Sequence, residues 1–141
     1  MHILFFIVWM VFNFSAVYAE TSVLNNNANA EKIPTIKLEA LLKSNIRSIT
    51  DHEVLISRVT IQPQQKLERH THPSEEYLYV ITGETTLYLN DTTNIKLSSG
   101  QIYKIPPMTI HSASTQDKAA EIIVFRVHPK GKPIKTLAKT N

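Results

Sequence analysis

His70 and His72 stand one residue apart, Glu76 follows four residues later, and His111 comes beyond a Pro106-Pro107 pair. Imidazole nitrogens and carboxylate oxygens suit iron, manganese, nickel, copper or zinc, and three of the first with one of the second leave an octahedral ion open positions for chemistry. In an extended chain alternate side chains share a face, so positions 70, 72, 74 and 76 point together while Glu75 points away. Parity therefore selects Glu76 as the inward carboxylate, either as a metal ligand or as the base that removes a substrate proton. A lone His-x-His pair says little. The full spacing is more specific: His70-x-His72-x3-Glu76-x6-Gly83 and, sixteen residues on, Gly100-x5-Pro106-x4-His111. The chain has no cysteine, which excludes disulfide scaffolds and thiolate-held metals.

These residues need strands to hold them. From Val54 onward β-branched residues recur with a period of two, in Val54 to Ile61, Glu76 to Ile81, Thr85 to Leu89, Asn94 to Leu97, Gln101 to Ile105, Thr109 to Ala113 and Glu121 to Val127. Polar, Pro or Gly punctuation separates them, and Gly83 and Gly100 occupy turns where positive φ is expected. Short strands at about ten-residue spacing predict an all-β antiparallel barrel or sandwich in one domain. A parallel α/β fold is excluded, because no crossover helices lie between the strands. Ahead of this block, residues 34–53 carry Leu38, Leu41 and Leu42 at helical spacing, a pattern open to a short helix or an extended arm on a sheet edge.

The ends are of other kinds. Ile3 to Phe12 reads ILFFIVWMVF, and Val17 and Ala19 suit a signal-peptidase site, so residues 1–19 are expected to be a secretory signal peptide cleaved after Ala19. The mature protein would then be secreted or periplasmic and free of the membrane. A retained anchor over residues 3–19 is the competing reading, although the apolar run is shorter than the roughly 20 residues of a spanning helix. Residues 20–33 contain NNNANA and read as a flexible linker. At the other end Lys130, Lys132, Lys135 and Lys139 make a basic tail over 129–141; removing these four from the formal net charge of +3 leaves −1. The basic balance is thus local, a solvated tail is expected, and no nucleic-acid partner is supported.

The two spaced motifs resemble those of the cupin superfamily, and the resemblance covers roughly Val54 to Val127. It implies a jelly-roll β-barrel with one divalent transition metal (Fe, Mn, Ni, Cu or Zn) at His70, His72, Glu76 and His111. It further implies a small-molecule ligand or substrate and admits a homodimer. A quercetinase-like dioxygenase acting on an aromatic or enol substrate is the leading activity it suggests; a non-catalytic cupin that binds a small ligand such as a sugar is the alternative. The chain departs from the family at Gln64 and Met108, where glycine is usual, and at Thr115, where asparagine is usual. Met108 implies a different turn or local strain of about 1 kcal/mol. By parity Leu78, Val80, Tyr103 and Ile105 point inward, an apolar lining suited to a hydrophobic substrate, while Tyr77 and Tyr79 point outward. His52 and His128 are expected at ordinary turn or strand-end positions, and Arg69 and Lys104 as solvated surface charges, the alternative being that they reach the barrel mouth and attract an anionic substrate.

Overall fold

A computed structural model describes residues 35–90 and 92–139; the expected signal segment 1–19 and linker 20–33 lie outside these described residues. Among the described residues ten strands run in chain order: β1 (Ile36–Ile46), β2 (Ile49–Ile61), β3 (His70–Thr71), β4 (Glu76–Thr82), β5 (Glu84–Leu89), β6 (Thr93–Ser98), β7 (Ile102–Ile105), β8 (His111–Ser114), β9 (Ala120–Pro129) and β10 (Thr136–Leu137). They form two five-stranded sheets, in the orders β1-β2-β9-β4-β7 and β10-β3-β8-β5-β6. The pairings are antiparallel, and the inner faces of both sheets share one core, as in a jelly roll.

Period-two alternation places side chains on the two faces. Along β9, Ala120, Ile122, Val124, Arg126 and His128 are buried and their neighbours are half-buried. Ile122 and Val124 pack with Val59 and Ile61 of β2, Leu78 and Val80 of β4, Leu87 and Leu89 of β5, Leu97 of β6 and Ile105 of β7. The same inner face changes character along the strands: in register, Val80 lies opposite Ile122, Leu78 opposite Val124, and then Glu76 opposite Arg126. One end of the interior is therefore apolar and the other polar, with the apolar layer as floor of the polar one.

Residues 34–53 take the extended form. Instead of a short helix, β1 pairs with β2 from Ile36↔Ile61 to Ile46↔Ile49, and the barrel begins before Val54. A helix there would have had no core to cover: Leu38, Leu41 and Leu42 remain 64%, 46% and 46% exposed, whereas strand pairing satisfies one side of the backbone hydrogen bonds. A bulge at Leu41 interrupts the register.

Gly83 and Gly100 have φ of +76° and +84°, as the turn positions require. Gln64 and Met108, standing where the related family has glycine, also take positive φ, 58° and 59°. The Met108 N–H donates to His72 O at 2.8 Å and its side chain is exposed, so the turn is held by its backbone at the expense of local strain. The two turn glycines should respond differently to substitution. A Cβ on Gly83 would lie 2.0 Å from the Ala119 carbonyl oxygen, while one on Gly100 meets nothing within 4 Å. Gly83→Ala should cost more than about 2 kcal/mol, through backbone strain and overlap together, and Gly100→Ala about 1 kcal/mol, through strain alone. Denaturant unfolding of both variants measures the difference, and equal losses would contradict it.

Candidate metal centre

The polar end of the barrel is assembled from both sheets. His70 lies on β3 directly opposite His111 on β8. His72 follows β3 immediately, and Glu76 opens β4. Strand parity holds through the link, since His70, His72, Ser74 and Glu76 are all buried. The three imidazoles gather with ring centroids 4.3 to 5.3 Å apart, and one nitrogen from each lies within 4.8 Å of the others. His70, His72, Glu76, His111 and Arg126 are only 4% to 6% exposed.

Backbone carbonyls set the orientation of all three rings. His70 Nδ1 donates to Glu68 O at 2.7 Å, His111 Nδ1 to Thr109 O at 2.9 Å, and His72 Nδ1 to Ile134 O. With the proton on Nδ1, the Nε2 lone pairs are left for the centre of the site, the tautomer arrangement that metal-bound histidines use. Burial holds His70 well below its ordinary range, at about 4, and lowers His111 as well, against the opposing attraction of Glu76. Both are thus neutral at neutral pH, the form that ligates.

Sequence reasoning missed Arg126. Its Nε and Nη2 both donate to Glu76 Oε2, at 2.7 and 2.6 Å, and Nη2 also lies 3.3 Å from His72 Nε2. Burial alone would raise the Glu76 carboxyl; the close approach of His72 and the Arg126 guanidinium outweigh it and hold the group at about 2. The signal was present in the chain, because Arg126 is the one permanently charged residue in the inward set of β9.

The centre fits a metal on chemical grounds. His111 Nε2 is buried without a hydrogen-bond partner. His72 Nε2, an acceptor in the tautomer fixed by Ile134, lies 2.9 Å from Glu76 Oε2, a separation that needs a proton or a cation between two acceptors. His70, His72 and His111 can hold the ion. Glu76 stands beside them, with Oε1 3.9 Å from His111 Nε2 and Oε2 engaged by Arg126.

Other expectations are revised. Leu78, Val80 and Ile105 do point inward, with Tyr103 packed against them, but they fill the core and do not line a cavity. A cavity of about 230 Å³ lies instead along the outer face of β5 and β8, with Lys66, Arg69, Tyr88, Asn94, His111 and Ser112 among its lining residues. Tyr77 and Tyr79 face outward as expected, Tyr77 donating to Glu75, which also pairs with Lys104 at 2.6 Å on the exposed surface. His52 binds neighbouring Asp51 at 2.8 Å, but His128 is no ordinary strand-end residue. It is fully buried, and its Nε2 donates to Lys132 O at 3.0 Å. The tail is not merely solvated either. Lys130 N–H donates to Asp51 O, Ala138 N–H donates to Arg69 O, and β10 pairs with β3 beside His70. The Lys130 ammonium donates to Thr50 O at 2.8 Å, and the carbonyls of Lys132 and Ile134 serve buried imidazoles, so the tail is ordered by what it satisfies.

Residues 57–126 match the family model of the cupin domain, and the chain belongs to the cupin superfamily. No curated protein matches it. Solved structures of the same fold include the DMSP lyase DddQ from Ruegeria pomeroyi DSS-3, with 17% identity, a TM-score of 0.62, and coverage of 77% of this chain and 54% of that one. The polyketide cyclase RemF from Streptomyces resistomycificus has 18% identity and a TM-score of 0.60 over 77% of this chain and 74% of that one. An RmlC-like cupin family protein with a double-stranded β-helix fold from Methanocaldococcus jannaschii has 19% identity and a TM-score of 0.57, covering 87% and 94%. At these identities the likeness is one of fold. The chain spans about half the length of the DMSP lyase chains, 54% of DddQ and 44% of another.

Two outcomes follow from this geometry. Removing residues 134–141 takes away the acceptor of His72 Nδ1, and metal affinity should fall about 10- to 100-fold in competition with a chromophoric chelator; unchanged affinity would show that the tail does not support the site. The second concerns acid. His70 takes up a proton near 6.5 when unfolded and near 4 when folded, so between those values the unfolded state binds more protons and stability falls as pH falls. Glu76, ordinarily near 4.5 and held at about 2, contributes stability above 4.5 that is lost as pH drops toward 2. The denaturation midpoint of the metal-free protein should therefore decline from about pH 6.5 downward, and a flat profile between pH 7 and 4 would contradict it.

Proposed function

We propose that His70, His72 and His111, with Glu76 as fourth ligand, hold one divalent transition-metal ion, and that this cupin uses it to bind and oxygenate a small molecule carrying an enol or phenol hydroxyl. The reading is carried by three converging Nε2 atoms whose Nδ1–H groups are all committed to backbone carbonyls. A metal bound there supplies Lewis acidity, lowers the pKa of a coordinated hydroxyl and offers open positions to the reactants. The protein's part is orientation and exclusion of water. Arg126 fixes Glu76 by Oε2 and leaves Oε1 toward His111. Two Arg126 donors on Oε2 stabilise the ionised carboxylate, which favours the ligand role of Glu76 over the base role. Beneath, Leu78 and Val124 form a dry floor. The activity would reside outside the cytoplasm if residues 1–19 are removed as a signal peptide.

A second reading, ligand binding without turnover, is favoured by the polar lining of the outer cavity, whose Tyr88, Asn94 and Ser112 suit a hydroxylated ligand. Mass spectrometry of the exported protein should find about one transition-metal ion per chain and an intact mass starting at Glu20. The His70→Ala plus His72→Ala variant should lose the ion, and retention would sink the site. Oxygen uptake with flavonols, catechols or diketones then supports the enzyme. Absence of uptake together with thermal stabilisation by sugars replaces it with the binding reading.

A further inference from the structure

Arg126 does more than orient a carboxylate. It is a permanently protonated group, buried to the same degree as the imidazoles, and it gives two donors to one oxygen of Glu76. Its charge cancels that of Glu76. Three neutral imidazoles, one carboxylate and one guanidinium sum to zero, so a divalent ion placed among them keeps its whole +2. The same centre without Arg126 would carry +1. A buried double charge costs many kcal/mol unless an anion compensates it. His72 adds a second point: Arg126 Nη2 lies 3.3 Å from its Nε2, and that single lone pair can serve either the guanidinium or a metal. Loading the metal on His72 releases an Arg126 donor at the centre.

We propose, on the basis of the metal-centre reading above, that Arg126 sets the charge of the ligand this site accepts and selects one that binds as an anion, a carboxylate or the ionised form of the enol or phenol, over one that stays neutral. Arg126 is a specificity-determining residue in this sense. The freed donor and the uncompensated charge of the ion address the same anionic group, one by hydrogen bonding and the other by coordination.

Charge predicts an order that orientation does not. With a divalent ion bound, Arg126→Gln leaves +1 at the centre, the unchanged protein has +2, the double variant Glu76→Gln plus Arg126→Gln also has +2, and Glu76→Gln has +3. Cobalt(II) is the metal probe and azide the anion probe, followed through the visible spectrum of the bound cobalt at saturating metal. Azide should bind Glu76→Gln most tightly, the unchanged protein and the double variant comparably, and Arg126→Gln at least about tenfold more weakly than the unchanged protein, the scale of one unit charge at short range. Arg126→Lys, which keeps the charge, should stay near the unchanged value. If Arg126→Gln is unstable because Glu76 is left unpaired, comparison of Glu76→Gln with the double variant carries the same test in a site without that burden. Equal azide affinity across the series, or no azide binding to the cobalt-loaded protein, overturns the inference while leaving the metal centre standing. Failure of cobalt to give any bound spectrum overturns the metal-centre reading and the inference with it.

Discussion

The polar end of this barrel depends on one buried ion pair. Glu76 and Arg126 face each other on adjacent strands β4 and β9, 2.6 Å apart, almost wholly withdrawn from water. Two charges so placed are costly to desolvate, and the pair is tolerable only because the geometry is tight and two guanidinium N–H groups converge on one carboxylate oxygen. Loss of either member would strand the other in a medium of low polarity, a change commonly worth about 3–5 kcal/mol. The imidazoles are packed around this pair, and burial beside it keeps His70 and His111 neutral.

Orientation comes from a different source. None of the three Nδ1–H groups is held by a side chain; Glu68, Thr109 and Ile134 supply main-chain carbonyls. Two of those carbonyls lie two residues before the histidine they serve and belong to the strand entries themselves. The third arrives from the far end of the chain. The site is therefore closed by the C-terminal segment, which joins the second sheet through β10 and brings Ile134 to His72. None of the described side chains of this segment is buried, so its ordering rests on hydrogen bonds to the barrel.

Much of this was legible from residue order. The period of two marked the central strands, the shared parity of His70, His72 and Glu76 put them on one face, and scarce glycines marked two turns at positive φ. The same parity rule exposes Arg126 once β9 is seen as Ala120, Ile122, Val124, Arg126 and His128 inward, but a single charge in an apolar strand reads equally as a register error until a partner is known. β1 resisted because its leucines fit a helix, and its strand form was settled by pairing with β2 rather than by its own pattern. The short strands β3 and β10 have too few residues to show a period at all.

Residue order alone established the all-β architecture, the residue types gathered at the candidate centre and which side chains can share a face, because alternation along a strand is local geometry that needs no partner. Which face meets which across the barrel belongs to tertiary structure, since it depends on strand order and register between segments far apart in the chain. That is where Arg126 met Glu76 across fifty residues, and where Ile134 reached His72. It is also why an expected apolar pocket became a filled core: parity sets direction, and packing from the opposite sheet sets how much space remains.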